Sequence, residues 1–153
     1  MLFRFIWVGK TRSPELRILT DDYFKRISHF VRSEIVEVRE GAGSSTGEGI
    51  EDEGRRILSA LRPDTLMVLL DVEGEMKSSH VFSRDIERWQ NSGEKQVAFV
   101  IGGHNGVSRA VVNKARICWS LSRLTFTHEM ARVVLLEQIY RAFTILNGFP
   151  YQK

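Results

Sequence analysis

A mainly parallel α/β sheet with helices on both faces is the fold class this sequence predicts, and three observations predict it. Apolar segments of strand length alternate with amphipathic segments of helix length along the chain. The runs at 65–70 (TLMVLL) and 97–101 (VAFVI) are nearly continuous in apolar residues, as strands covered on both faces are. Several of these runs also end on glycine or a small polar group, at the strand ends where such sheets receive ligands.

The elements follow in order. Residues 2–8 are apolar and aromatic, bounded by Gly9, and read as a first buried strand. Ser13-Pro14-Glu15 opens a helix with a capping hydroxyl, proline at the first position and an acid in the first turn. Leu16, Leu19, Tyr23, Ile27 and Phe30 give that helix, 14–30, its core face. Residues 34–38 suggest a second strand. The segment 41–49 (GAGSSTGEG) holds four glycines and no large apolar side chain, so it reads as a mobile loop or a lid. A short helix at 50–61 ends at Pro63, and the strand 65–70 ends at Asp71. Ser78 or Ser79 caps a helix whose core positions are Val81, Phe82, Ile86 and Trp89. Residues 96–101 form the fourth strand, Ser108 caps a short helix, residues 119–126 hold the fifth strand, and a long amphipathic helix follows. There is no internal repeat and no linker, so 1–153 is expected to be a single domain.

Composition narrows the function classes. With 42% hydrophobic and 27% charged residues the chain has the balance of a soluble globular protein. No apolar run approaches the roughly 20 residues that cross a bilayer. The N-terminus reads as a strand, without the small-residue cleavage pattern of a signal peptide. The single cysteine, Cys118, cannot form an internal disulfide; it is expected to be a buried, inert thiol in a reducing, cytoplasmic setting. The four histidines are scattered and no Cys/His cluster has metal-ligand spacing, so no metal is expected. Charge is distributed unevenly. Residues 95–153 hold eight Lys/Arg against two acids, net +6, and residues 1–94 hold 14 against 17, net −3. A basic half suggests a polyanionic partner.

The basic half also contains the strand-end turn Gly102-Gly103-His104-Asn105-Gly106. A strand ending on glycines and feeding a helix lets backbone approach a ligand closely and offers free N–H groups. The spacing is not that of a dinucleotide fingerprint, and no Asp follows at the usual distance. No nucleophile elbow, phosphate-binding lysine loop or metal cluster is present; Ser108 and Ser120 read as a cap and a strand residue. What remains is a pocket rich in backbone groups, suited to a cofactor that carries its own chemistry, such as S-adenosylmethionine. The protein would then hold methyl and acceptor in line and take up a proton.

The segments LLDVEGEMKSS, VAFVIGGHNGVS, WSLSRLTFTHEMARVVLLEQIYRA and PYQK, with FIWVGK near the N-terminus, resemble those of SPOUT-class methyltransferases. The combination W-S-L-S, H-x-x-x-R-V and L-x-E-Q-I-Y-R-A is similar to the branch that methylates N3 of a pseudouridine in bacterial 23S ribosomal RNA. The resemblance implies a C-terminal trefoil knot, an exception to the rule against threading, and a homodimer that binds RNA across both subunits. It implies that S-adenosylmethionine sits between Leu70, the turn Gly102-Gly103 and the loop Leu121, Ser122, Arg123, Leu124, Thr125, Phe126. Tyr151, in the tail, would stack on the target base, Lys153 would meet phosphate, His128 would orient RNA or cofactor, and Arg132 would contact RNA. A salt bridge to Glu137 competes with RNA contact for Arg141. Glu137 itself reads as a buried partner and Tyr140 as core. The chain departs from its relatives at Phe149 and Gln152, where they carry histidine, and in the lack of basic residues at 41–49. A SPOUT enzyme for another RNA, such as tRNA, and a catalytically silent RNA- or ribosome-binding protein are the alternative functions.

Overall fold

The apolar runs assemble into one sheet. The computed structural model describes residues 1–43 and 47–151. In chain order the elements are β1 (Leu2–Val8), α1 (Pro14–Ser28), β2 (Arg32–Val38), α2 (Gly47–Ala60), β3 (Leu66–Met76), α3 (Ser79–Asn91), β4 (Gln96–Ile101), α4 (Arg109–Lys114), β5 (Ile117–Ser120) and α5 (His128–Leu146). The strands lie in the order β2-β1-β4-β3-β5 and every pairing is parallel.

Side chains alternate across the sheet with the two-residue period of a strand, which creates two cores. Phe3, Phe5 and Trp7 of β1 and Val97, Phe99 and Ile101 of β4 face α1, α3 and α5. Ile6, Val8, Ala98 and Val100 face α2 and α4, meeting Ile57 and Val111. The helices therefore cover both faces, three on one and two on the other. From α4 the chain enters the edge strand β5 and emerges on the opposite face as α5.

The caps expected at Ser13, Ser78 and Ser108 are present, each accepting a backbone N–H three residues on. Four sequence expectations are corrected. Leu19 is 43% exposed, because the inner face of α1 is turned toward Thr20 and Ile27. Gly47 and Gly49 belong to α2, so the expected loop at 41–49 is shorter; its residues 44–46 lie outside the described residues. β5 stops at Ser120, and 121–126 form a loop. Cys118 is exposed, since β5 alternates and turns its neighbour Trp119 inward.

β3 also continues beyond Asp71, with an irregularity that matters. Leu70 and Glu75 both register with Trp119, so residues 71–74 bulge away from β5 before the strand rejoins it. Rejoining is possible because Gly74 has no side chain: a Cβ there would lie 2.7 Å from the carbonyl carbons of Cys118 and Trp119.

Candidate functional site

The bulge in β3, the glycine turn after β4 and the loop after β5 converge at the carboxyl edge of the sheet around a cleft of about 640 Å³. Leu70, Asp71 and Val72 form one wall. Gly102 and Gly103 form the floor, with His104, Gly106 and Val107 beyond them. Leu121, Ser122, Leu124, Thr125 and Phe126 form the third wall, and His128 and Ala131 of α5 close the end.

Short-range hydrogen bonds hold the floor and the third wall. The Gly106 N–H donates to Gly103 O at 3.1 Å, closing a turn in which Gly106 takes φ +89°. At Gly102 a Cβ would collide with the Val107 side chain and lie 3.2 Å from Gly106 O. In the third loop Ser120 Oγ donates to Ser122 O at 2.9 Å, and Ser122 Oγ accepts the Leu124 N–H at 3.0 Å. Apolar surface from Leu70, Ile101, Val107, Leu121 and Phe126 surrounds a small number of polar groups, the usual constitution of a small-molecule site.

The start of α5 is clamped to the connection after β1. Thr127 caps the helix, and the Glu129 carboxylate accepts the N–H groups of Arg12 at 2.6 Å and Ser13 at 3.1 Å. Those bonds hold the Glu129 carboxyl below its ordinary range. Beside it, the His128 ring stacks on His104 with centroids 6.1 Å apart. Burial lowers the His128 pKa, and the charge of Arg132 and the neighbouring His104 push it in the same direction. An imidazole kept neutral in this way can accept a proton.

Three predicted site residues lie elsewhere. Arg132 is fully buried: its guanidinium donates to Val8 O at 2.7 Å and Thr11 Oγ1 at 2.9 Å and sits 5.1 Å from the Trp7 ring centroid. It fastens α5 to the end of β1, and its burial removes it from contact with RNA. Arg123 does not line the cleft; it is exposed and donates to Val72 O, tying the third wall to the first.

Tyr151 packs against α5. It meets the Tyr140 ring edge-on at 4.8 Å, lies under the Arg141 guanidinium and donates to Glu137 Oε1 at 3.1 Å. Burial, together with the hydroxyl of Tyr23 and the charge of Glu137, raises its pKa. The tail aromatic thus has a packing role within its own chain. Glu137 is nine residues, about 14 Å along the helix, from His128, so Tyr151 is remote from the cleft of its own chain.

The basic flank is correspondingly thinner than the sequence count. Arg141 pairs with Glu137 at 2.5 Å, as expected of a structural bridge, and Arg116 pairs with Glu94 at 3.6 Å. Arg109 and Lys114 are exposed and have no ion-pair partner among the described residues. Gln152 and Lys153 lie outside the described residues.

Sequence reading missed Asp71, His104 and Val107. Asp71 passes for a strand terminator, and His104 for a turn residue. Only the folding of three distant segments onto one edge makes them neighbours of the cleft. Among the described residues there is no cluster of three or more His, Cys, Asp or Glu able to hold a metal ion, and no helix is long and apolar enough to cross a membrane.

Comparison with known proteins places this arrangement among others. A family model described as predicted SPOUT methyltransferase matches residues 1–152. The protein named ribosomal RNA large subunit methyltransferase H from Geotalea daltonii is 41% identical over 151 residues, 99% of each chain. The protein of that name from Acetivibrio thermocellus is 37% identical over 159 residues, covering both chains fully. The one from Flavobacterium johnsoniae is 40% identical over 154 residues, 99% of this chain and 98% of its own. A crystal structure of a probable methyltransferase from Bordetella pertussis Tohama I superposes with a TM-score of 0.58. It covers 92% of this chain and 95% of its own at 14% identity, a likeness of fold.

Proposed function

The chain belongs to the SPOUT methyltransferase family, alongside proteins named ribosomal RNA large subunit methyltransferase H, and from that premise we propose that it methylates N3 of a pseudouridine in 23S ribosomal RNA with S-adenosylmethionine as donor. The observation that carries the proposal is the convergence of three strand-end segments on one cleft. That cleft fits the donor: about 640 Å³ with apolar walls suits an adenosyl group, and the glycine floor leaves backbone accessible. S-adenosylmethionine supplies a methyl group made electrophilic by its sulfonium. The chain supplies position and a proton acceptor. The walls at 70–72 and 121–126 and the floor at Gly102-Gly103 would hold the adenosyl group, and the neutral His128 would take the imide proton of the base.

Ile18 and Leu19 on α1 and Phe149 in the tail are exposed apolar side chains, which supports a homodimer. Tyr151 enters this reading through that dimer, with the tail of one subunit meeting RNA held at the other's cleft. The passage from α4 through β5 to α5 corresponds to the proposed trefoil knot, and the proposed setting is the cytoplasm, where ribosomes are.

The test uses purified protein, methyl-labelled S-adenosylmethionine and large ribosomal subunits from cells lacking the gene. Nucleoside analysis by mass spectrometry is expected to show label in N3-methylpseudouridine. Label appearing only in tRNA would move the substrate within the family. Donor binding without transfer to any RNA would leave a silent binding protein.

A further inference from the structure

Among the described residues lining the cleft, Asp71 is the only carboxylate. Its Oδ1 accepts the Glu73 N–H at 2.9 Å, an Asx turn that fixes the side chain in the bulge of β3. Oδ2 has no hydrogen-bond partner among the described residues. The side chain is half-buried, at the rim and next to the apolar surface of Leu70. A fixed carboxylate oxygen at the edge of a ligand cleft is an acceptor waiting for a donor.

The rest of the cleft limits which donor. The charges that bear on His128 are those of Arg132, His104, Glu129 and Glu40. Three of these lie on the β1 side: Arg132 is bonded to Val8 O, Glu129 to the backbone at Arg12 and Ser13, and Glu40 to the Arg12 guanidinium; His104 belongs to the turn after β4. Asp71 instead follows Leu70, which pairs with Trp119 of β5. The acidic end of the cleft therefore lies toward β3 and β5, and the imidazole end, where a proton can be taken up, lies toward β1.

We propose that Asp71 is a specificity-determining residue whose free carboxylate oxygen accepts hydrogen bonds from the ribose diol of the adenosyl ligand. The inference rests on the reading of the cleft as the S-adenosylmethionine site. Adenine offers one amino group beside three ring acceptors, and its flat ring belongs between the apolar walls of the cleft; the diol presents two adjacent donors suited to a polar rim. A carboxylate set against the sulfonium would hold the reactant more tightly than a transition state in which that charge is dispersing, and so would slow transfer. Set against the diol, it binds donor and product alike and leaves the reacting centre alone.

The test is calorimetric. Wild type, Asp71→Asn and Asp71→Ser are titrated with S-adenosylmethionine, with 5′-methylthioadenosine, which has neither sulfonium nor ammonium, and with 2′,3′-dideoxy-5′-methylthioadenosine. Asparagine can still accept the Glu73 N–H, so the turn survives and Oδ2 alone is exchanged for a donor. Serine repeats the comparison should the asparagine variant melt below wild type. The expected result is an affinity loss of about tenfold, the order for a hydrogen bond to a charged group, equal for S-adenosylmethionine and 5′-methylthioadenosine and absent for the dideoxy compound. Loss confined to S-adenosylmethionine, equal loss for the diol and dideoxy ligands, or no loss would each overturn the assignment. Wild type binding none of the three would overturn the cofactor reading itself, a distinct outcome.

Discussion

A guanidinium without exposure needs acceptors, and Arg132 has two neutral ones and an aromatic face. Arg132→Met would leave Val8 O and Thr11 without that donor. Hydrogen bonds to a charged group contribute ~1.5–3 kcal/mol each, so an unfolding free energy lower by about 3 kcal/mol is expected in urea titration. A loss under 1 kcal/mol would contradict the anchoring role. His128 links stability to pH in a definite direction. Its folded pKa lies below the ordinary histidine value, so between the two the unfolded chain binds more protons and stability falls as pH drops. His128→Asn is expected to flatten the melting temperature between the ordinary histidine value and the lower folded one. An unchanged pH slope in the variant would assign that dependence to other groups.

At the scale of elements, the site depends on two close backbone approaches. In β3, Gly74→Ala would push a methyl into the backbone of Cys118 and Trp119, which has no side-chain freedom with which to yield. The variant is expected to melt several degrees lower and to show Trp119 fluorescence shifted toward that of an exposed indole. In the turn after β4, Gly102→Leu would collide with Val107 and fill the floor of the cleft. Because that position lies at the edge of the sheet, calorimetry is expected to show binding of S-adenosylmethionine lost while far-UV circular dichroism stays that of wild type. The sequence already marked the glycine turn and the caps at Ser13, Ser78 and Ser108, since these are local chemistry. The bulge of β3 was not legible, because Gly74 matters only against a backbone more than forty residues later.

The whole molecule carries a positive formal charge of +3, and part of its cationic complement is committed internally at Arg132, Arg141 and Arg116. Binding to a ribosomal RNA fragment is expected to weaken linearly in log Kd against log salt, with a slope that counts released counterions. S-adenosylmethionine affinity should change little over the same range. A shallow slope for RNA would place recognition on base contacts. Replacing Leu19 with Glu puts a charge on the proposed apolar interface; sedimentation is expected to show twice the chain mass for wild type and a single chain for the variant.

By itself the sequence determined the strand-helix alternation, the two-faced sheet and the strand ends at its carboxyl edge, because hydrophobic period, caps and glycines act through neighbours in the chain. The motifs added the family. Only the tertiary structure decided that Arg132 is buried, that Tyr151 folds onto Glu137, and that Asp71 and His104 border the cleft. A side chain's accessibility depends on which distant backbone arrives beside it, and spacing along a chain does not encode that arrival.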